Sequence, residues 1–374
     1  TPASNRASVQ LAVDPSWSGE TGAAGTANRA MLPWALVDLT TTGQGMSFAT
    51  TGVISNGALV RYLRPLDSTE YETNPATIIG GTNATPSMSN VQLTGGATFN
   101  VSGTATRNSL TIQGNSNLAI ADGAQFNLRT GGVLVRTGST STISGGVLNF
   151  PNSFSPLTIW TLGDLTITSA LAGGNGIANG NMSLIKNGPG RLTIAPVPSA
   201  INGLAATGTN SLSGQFVLNQ GTLKLGTGIN NAIQPYNYFS AMAGTLDLNG
   251  TSLSTYGFFN DSAVAGNGAN VTSSNGTGHL MITTDARNFS GTISGDVKFT
   301  KSGNGTFNLY SDLTYTGATV INEGLVVLYH DARLSATSAI DLNFANLYLE
   351  NNNSWSDNAD RINDAAPVTM RGGY

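Results

Sequence analysis

The sequence predicts an all-β chain folded as a single right-handed parallel β-helix with side loops, and three observations carry that prediction. The chain half-repeats itself at a spacing of about one hundred residues. Short runs of alternating apolar and polar residues follow one another with glycine-rich punctuation from about residue 90 onward. Charged residues make up only 10% of the 374, so most of the surface must be hydroxyl and amide.

The repeat is read directly. Lys186-Asn-Gly-Pro-Gly-Arg-Leu-Thr-Ile194 has its counterpart in Lys301-Ser-Gly-Asn-Gly-Thr-Phe-Asn-Leu309. Further on, Gly214, Val217, Asn219 and Gly221 recur at the same offsets as Gly317, Val320, Asn322 and Gly324. Fixed glycines between alternating runs are the signature of stacked coils, each of which buries its apolar face only against its neighbours. The two copies occupy about 184–250 and 297–352.

Strands come first in the reading, because alternation places one side of each run in a core. Val91-Gln-Leu93, Ala97 to Val101, Ser109 to Ile112, Asn117 to Ile120, Gln125 to Leu128, Val133 to Val135 and Asp164 to Ile167 are such runs. Gly95-Gly96, Gly114-Asn115, Asp122-Gly123 and Gly145-Gly146 separate them, supplying the positive φ that sharp corners need. No window sustains helical periodicity. A coil of roughly 20–25 residues stacked every 4.8 Å gives about 15–18 coils and a rod of roughly 70–85 Å. Leu192, Ile194, Leu223, Leu225, Phe307 and Leu309 are expected to point inward, and Asn219 and Asn322 to stand in an inward or corner amide ladder.

Residues 1–90 break the pattern. They hold Trp17, Trp34, several prolines and a charged stretch from Arg61 to Glu72, and read as irregular N-terminal coils or a cap. Residues 91–374 form the helix proper, with Ala365 to Tyr374 reading as a further strand beginning, so the parent polypeptide is expected to continue beyond it.

These motifs resemble the autotransporter-associated β-strand repeat of passenger regions in large bacterial surface proteins. The likeness rests on Ile185-Lys186-Asn-Gly188-Pro-Gly190-Arg-Leu192-Thr-Ile194 and Thr300-Lys301-Ser-Gly303-Asn-Gly305-Thr-Phe307-Asn-Leu309. It extends through Leu212 to Leu225 and Tyr315 to Leu328. The first copy departs by about a dozen extra residues around Ile201 to Asn210 and by Leu212 in place of tyrosine. The resemblance implies a β-helical fold, export, and an extracellular or cell-surface place in a bacterium. It implies a surface adhesin, matrix component or fibre and fixes no binding activity.

Composition narrows the chemistry. Lys and Arg total 16 and the net charge is −4, so no basic stripe exists to release counterions and nucleic acid is not expected as a partner. There is no cysteine, and no run approaches the roughly 18 apolar residues of a membrane span. No cofactor, metal or catalytic group is expected. A pectin-type hydrolase needs two or three carboxylates converging on the scissile bond, and the chain has no Asp-Asp pair; its fragments Gly278-His279, Asn358-Ala-Asp360 and Arg361-Ile-Asn363 stand in the wrong order. His279 reads as a strand-edge residue and His330, followed by Asp331, as an exposed corner, with no Gly-x-Ser-x-Gly elbow anywhere. Asp357, Asp360 and Asp364 read as a solvated loop ahead of a calcium site.

Aromatic side chains give the one candidate binding patch. Tyr236, Tyr238 and Phe239 are followed one coil later by Tyr256, Phe258 and Phe259, a set that either stacks on sugar rings or seals a hydrophobic seam beneath a loop. The expectation is therefore a non-enzymatic, exported, stiff rod of an adhesin or extracellular fibre, with self-association favoured by low charge. Surface glycans are the alternative partner, through a monomeric carbohydrate-binding adhesin, and a polysaccharide lyase or hydrolase is the remaining alternative.

Overall fold

The computed structural model describes residues 23–42, 45–55, 59–79, 88–150, 156–173, 183–197, 214–233, 235, 237–283, 287–350 and 360–372. Period-2 runs become short parallel strands stacked into a three-faced β-solenoid. The chain circulates through the faces in a fixed order. The first face includes Ser252–Thr255, Gly278–Ile282 and Val297–Ser302. The second includes Leu184–Asn187, Phe216–Leu218, Tyr238–Ala241 and Gly257–Phe259. The third is an 11-stranded parallel sheet running from Thr98–Val101 to Arg333–Leu334. Long strands bend from the first face to the second without a break. In Gln125–Val135, residues Gln125 to Asn127 pair with Val147–Phe150 while Gly132 to Val135 pair with Leu157–Thr161.

Every rung contributes inward side chains to one continuous core, and Leu192, Ile194, Leu223, Leu225, Phe307 and Leu309 are all fully buried in it, as their alternation predicts. The stack makes about 10 turns, fewer than the 15–18 that uniform coils would give. Rung spacing is uneven, from 19 residues between Phe99 and Leu118 to 32 between Leu184 and Phe216, but the eleven rungs of the third face keep a mean within the roughly 20–25 residues expected of a coil. The difference arises at the N-terminal end, where the described residues ahead of Glu72 add no rung.

That region has its own architecture. Strands β1 (Leu32–Val37), β2 (Ser47–Ser55) and β3 (Leu59–Pro65) form an antiparallel sheet. Met31, Phe48, Leu66 and Tyr71 pack with Leu134, Trp160 and Leu162, so the small sheet lies on the outer side of the second face. Trp160 Nε1 donates to Pro33 O at 2.9 Å, which ties the sheet to the stack through a buried-edge indole. Helix α1 (Pro75–Ile79) then places Ile78 in the solenoid core, and Glu72 forms a parallel bridge to Val91, so the stack starts here. Arg64 holds this turn together. Its guanidinium forks onto Glu70, whose carboxylate also accepts the amides of Gly25 and Asp67. Burial alone would raise the Glu70 pKa, but Arg64 and those amides outweigh it and hold the carboxyl below its usual range.

Candidate functional site

The repeat motif is a corner. In the first copy, Leu184–Asn187 on the second face turns through Gly188, Pro189 and Gly190 into Arg191–Ile194 on the third, and the next rung repeats the turn with Phe216–Leu218 and Thr222–Leu225. In the second copy the same motif turns from the first face into the second, through Val297–Ser302 and Thr306–Leu309, with Thr319–Leu328 stacked above. The repeat has thus rotated by one face along the rod. This is possible because the motif encodes two strands and a corner, and each face offers an equivalent place for them.

Lys186 and Lys301 stand at inward positions of their strands. Lys186 pairs in register with Ile159 below and Leu218 above, and Lys301 with Ile282 and Ile321, all residues of apolar ladders. Both side chains are fully buried. From inside, Lys186 Nζ donates to Asn187 O at 3.1 Å, Gly188 O at 2.7 Å and Gln220 O of the next rung at 2.8 Å. Lys301 Nζ donates to Ser302 O at 2.8 Å and Gly303 O at 2.7 Å. The corner turns these carbonyls toward the lysine in a buried or partly buried setting, and the ammonium satisfies them. Burial lowers the Lys186 pKa to about 7 and lowers that of Lys301 as well.

Stacking explains the glycines. A Cβ on Gly221 would lie 2.5 Å from Gly190 O and closer still to Gly188 O; one on Gly324 would meet Gly305 O at 2.6 Å and also Gly303 O. Both glycines have positive φ, +72° and +75°. Asn219 and Asn322 stand in corner ladders: Asn219 Nδ2 donates to Asn187 Oδ1 at 2.9 Å, and Asn343 Nδ2 to Asn322 Oδ1 at 2.8 Å. These amides lie toward solvent.

The aromatic set divides by side-chain direction. Phe239 and Phe258 are 1% exposed and belong to an interior ladder, with Phe216–Phe239 and Phe239–Phe258 centroids each 5.3 Å apart. They are unavailable to a sugar, since adjacent residues of a strand face opposite ways and these two face in. Tyr238, Tyr256 and Phe259 stand outside, with Tyr238 edge-on to Tyr256 at 5.1 Å. Arg287 lies 4.4 Å over the Phe259 ring and pairs with Asp261 at 3.3 Å. Phe259 is nearly covered, so the accessible part of this cluster reduces to the two tyrosines. Tyr236 lies outside the described residues, as do Asp357 and the extra residues of the first repeat copy.

Carboxylates and histidines are engaged singly along the rod. Asp164 binds Arg191, Asp247 binds Lys224 and Ser274, and Asp261 binds Arg287. His279 is half-buried on a strand of the first face, its Nε2 2.8 Å from Thr300 Oγ1, and burial with the nearby Lys298 lowers its pKa. His330 occupies an exposed corner with φ +50° beside the stacked rings of Tyr310 and Tyr329, a pair that no aromatic cluster in the sequence marks, since each ring stands alone in its run. Among the described residues no three of His, Asp or Glu converge where they would hold a metal.

No curated protein and no solved structure matches the chain. A family model described as passenger-associated-transport-repeat matches residues 184–225 and 299–328, the two corner segments that hold Lys186 and Lys301. The chain carries two copies of the autotransporter passenger repeat.

Proposed function

We propose that the chain is a non-enzymatic, exported structural rod, part of a cell-surface adhesin or extracellular fibre of a bacterium. The repeat and the solenoid fit an exported surface protein. The observation that carries the structural role is the use made of the polar groups. Both repeat lysines are used inside corners, and the acids named above link one rung to the next. A rod held by main-chain hydrogen bonds along its axis and a continuous apolar core resists bending and proteolysis. Antibody labelling of intact against permeabilised cells tests the location, and negative-stain microscopy of the purified protein tests the form. Signal on intact cells with uniform rods supports the reading; a strictly cytosolic protein overturns it.

A glycan-binding adhesin is the second reading, favoured by the half-exposed Tyr238 and Tyr256. It requires that Tyr238→Ala and Tyr256→Ala abolish retention of a glycan-array signal that the parent protein gives.

A further inference from the structure

The third face carries a charge pattern that is complementary to its own reversal. Eight successive strands, from Asp164–Ile167 to Arg333–Leu334, place one outward residue each in a single row along the rod. The row begins with Asp164 and Arg191, passes through four uncharged residues, and ends with Asp312 and Arg333. Read in one direction the signs run minus, plus, four neutral, minus, plus. Read in the other they run plus, minus, four neutral, plus, minus, so reversal inverts the sign at every charged place.

We propose that two copies of this chain pair face to face through this sheet, with their rods antiparallel. A two-fold axis in the interface, crossing the rod between the rungs of Thr245 and Asn270, sets Asp164 against Arg333 and Arg191 against Asp312 of the other copy. Symmetry repeats both contacts, giving four ion pairs in an isologous interface. Sliding by one rung destroys the match, so the pattern fixes register as well as direction. A parallel pairing would set each residue of this row against the second outward row of the same rung, where Asp164 meets Thr166 and Arg191 meets Thr193, and no charge is matched.

The rest of the face is compatible. Between the charged ends the row presents short side chains, with Thr222 opposite Thr292 and Thr245 opposite Asn270. In the second row, Lys224 and Asp247 already neutralise each other at 3.2 Å and meet Ser294 and Thr272. The Asp164–Arg191 pair, 2.7 Å apart, is about half exposed on the arginine side and remains open to a second partner. Eight rungs span roughly 34 Å, and exposed ion pairs of this kind are individually weak and screened by salt. The pairing is therefore one of specificity and register, strengthened where many copies are crowded together.

The inference deepens the rod reading by naming its partner; a monomeric rod would sink the inference and leave that reading intact. Sedimentation velocity at low ionic strength is expected to show a dimer that dissociates in high salt. Arg191→Asp sets like charges against Asp312 of the second copy, and Asp312→Arg does the same against Arg191, so each variant alone sediments as a monomer. An equimolar mixture of the two restores opposite charges at both contacts and sediments as a dimer. A monomeric parent protein, single variants that dimerise like the parent, or a mixture that stays monomeric overturns the proposal. Should either variant fail to fold, exposed-face cysteines keep the question open to test, since the chain has no cysteine of its own. Thr222→Cys mixed with Thr292→Cys is expected to form a disulfide heterodimer, and Thr222→Cys alone to form none. No cross-link in the mixture, or equal cross-linking of the single variant, refutes the antiparallel register.

Discussion

The ammonium of Lys186 reaches the carbonyl of Gln220, 34 residues later in sequence and one rung away in space, at 2.8 Å. One lysine thus closes its own corner and locks the next corner onto it. An unpaired charge in this core would be costly, so the three carbonyl acceptors are what make a buried lysine tolerable.

Replacing the lysine tests that balance. Lys186→Met keeps the apolar stem and removes the donor, leaving inward carbonyls without a partner. We expect a loss of about 1–3 kcal/mol in denaturant unfolding, with Lys301→Met behaving alike, because each stranded group carries its desolvation penalty.

Lys186 also gives stability a pH dependence. Its folded pKa is about 7 against an ordinary value of 10.5, so between those limits the unfolded chain binds more protons than the folded one. Lys186 contributes a rise in stability with pH across that window, by at most about 1.4 kcal/mol per pH unit, and the rise is smaller in Lys186→Met, where only Lys301, its pKa also lowered by burial, still contributes in the same direction. Tyr315 sets the upper end: burial holds its phenol protonated in the fold, so ionisation of the unfolded chain lowers stability above about pH 10. Urea midpoints measured from pH 6 to 10 for both proteins check the sign.

Corner glycines should be intolerant in proportion to what lies beneath them. Gly221→Ala and Gly324→Ala combine positive φ with a clash against the rung below, and should lose roughly 2–4 kcal/mol. Gly276→Ala has φ +74° but nothing within 4 Å, and should lose about 1 kcal/mol. Thermal unfolding of the three ranks them.

The aromatic set should split in the same way. Phe258→Ala opens a cavity in the interior ladder and should lose about 3–5 kcal/mol. Tyr256→Ala removes a half-exposed ring and should lose about 1 kcal/mol or less. Equal losses in chemical denaturation would contradict the division of this cluster into inner and outer rings.

Glu70 should govern the N-terminal sheet under acid. Its folded pKa lies below the unfolded value near 4.5, so its stabilisation is complete above that value and is lost as pH falls through the folded pKa. Glu70→Gln should weaken this region by roughly 3 kcal/mol at neutral pH, seen as faster amide exchange in β1–β3 while the stack stays protected.

Much of this was legible in the sequence. Alternation in Arg191-Leu-Thr-Ile194 and Thr222-Leu-Lys-Leu225 is enough to assign inner and outer residues, and the recurring Gly-x-Gly marks the corners. The same alternation separates Phe258 from Phe259, since neighbours on a strand face opposite ways. Lys186 was not legible. A charged residue in a period-2 run reads as outward by every hydropathy rule, and its inward place depends on carbonyls supplied by a different rung.

The sequence by itself determined local things: strands, corners, and the repeat, because these follow from side-chain alternation and backbone freedom within a few residues. Only the tertiary structure decided the rest. It put the two repeat copies on different pairs of faces, laid the N-terminal sheet against Trp160, and brought Asp164, Arg191, Asp312 and Arg333 into one row. Side loops of unequal length make rung spacing irregular, so the residues that meet along the rod are set by which strands stack, and no fixed interval in the chain announces them.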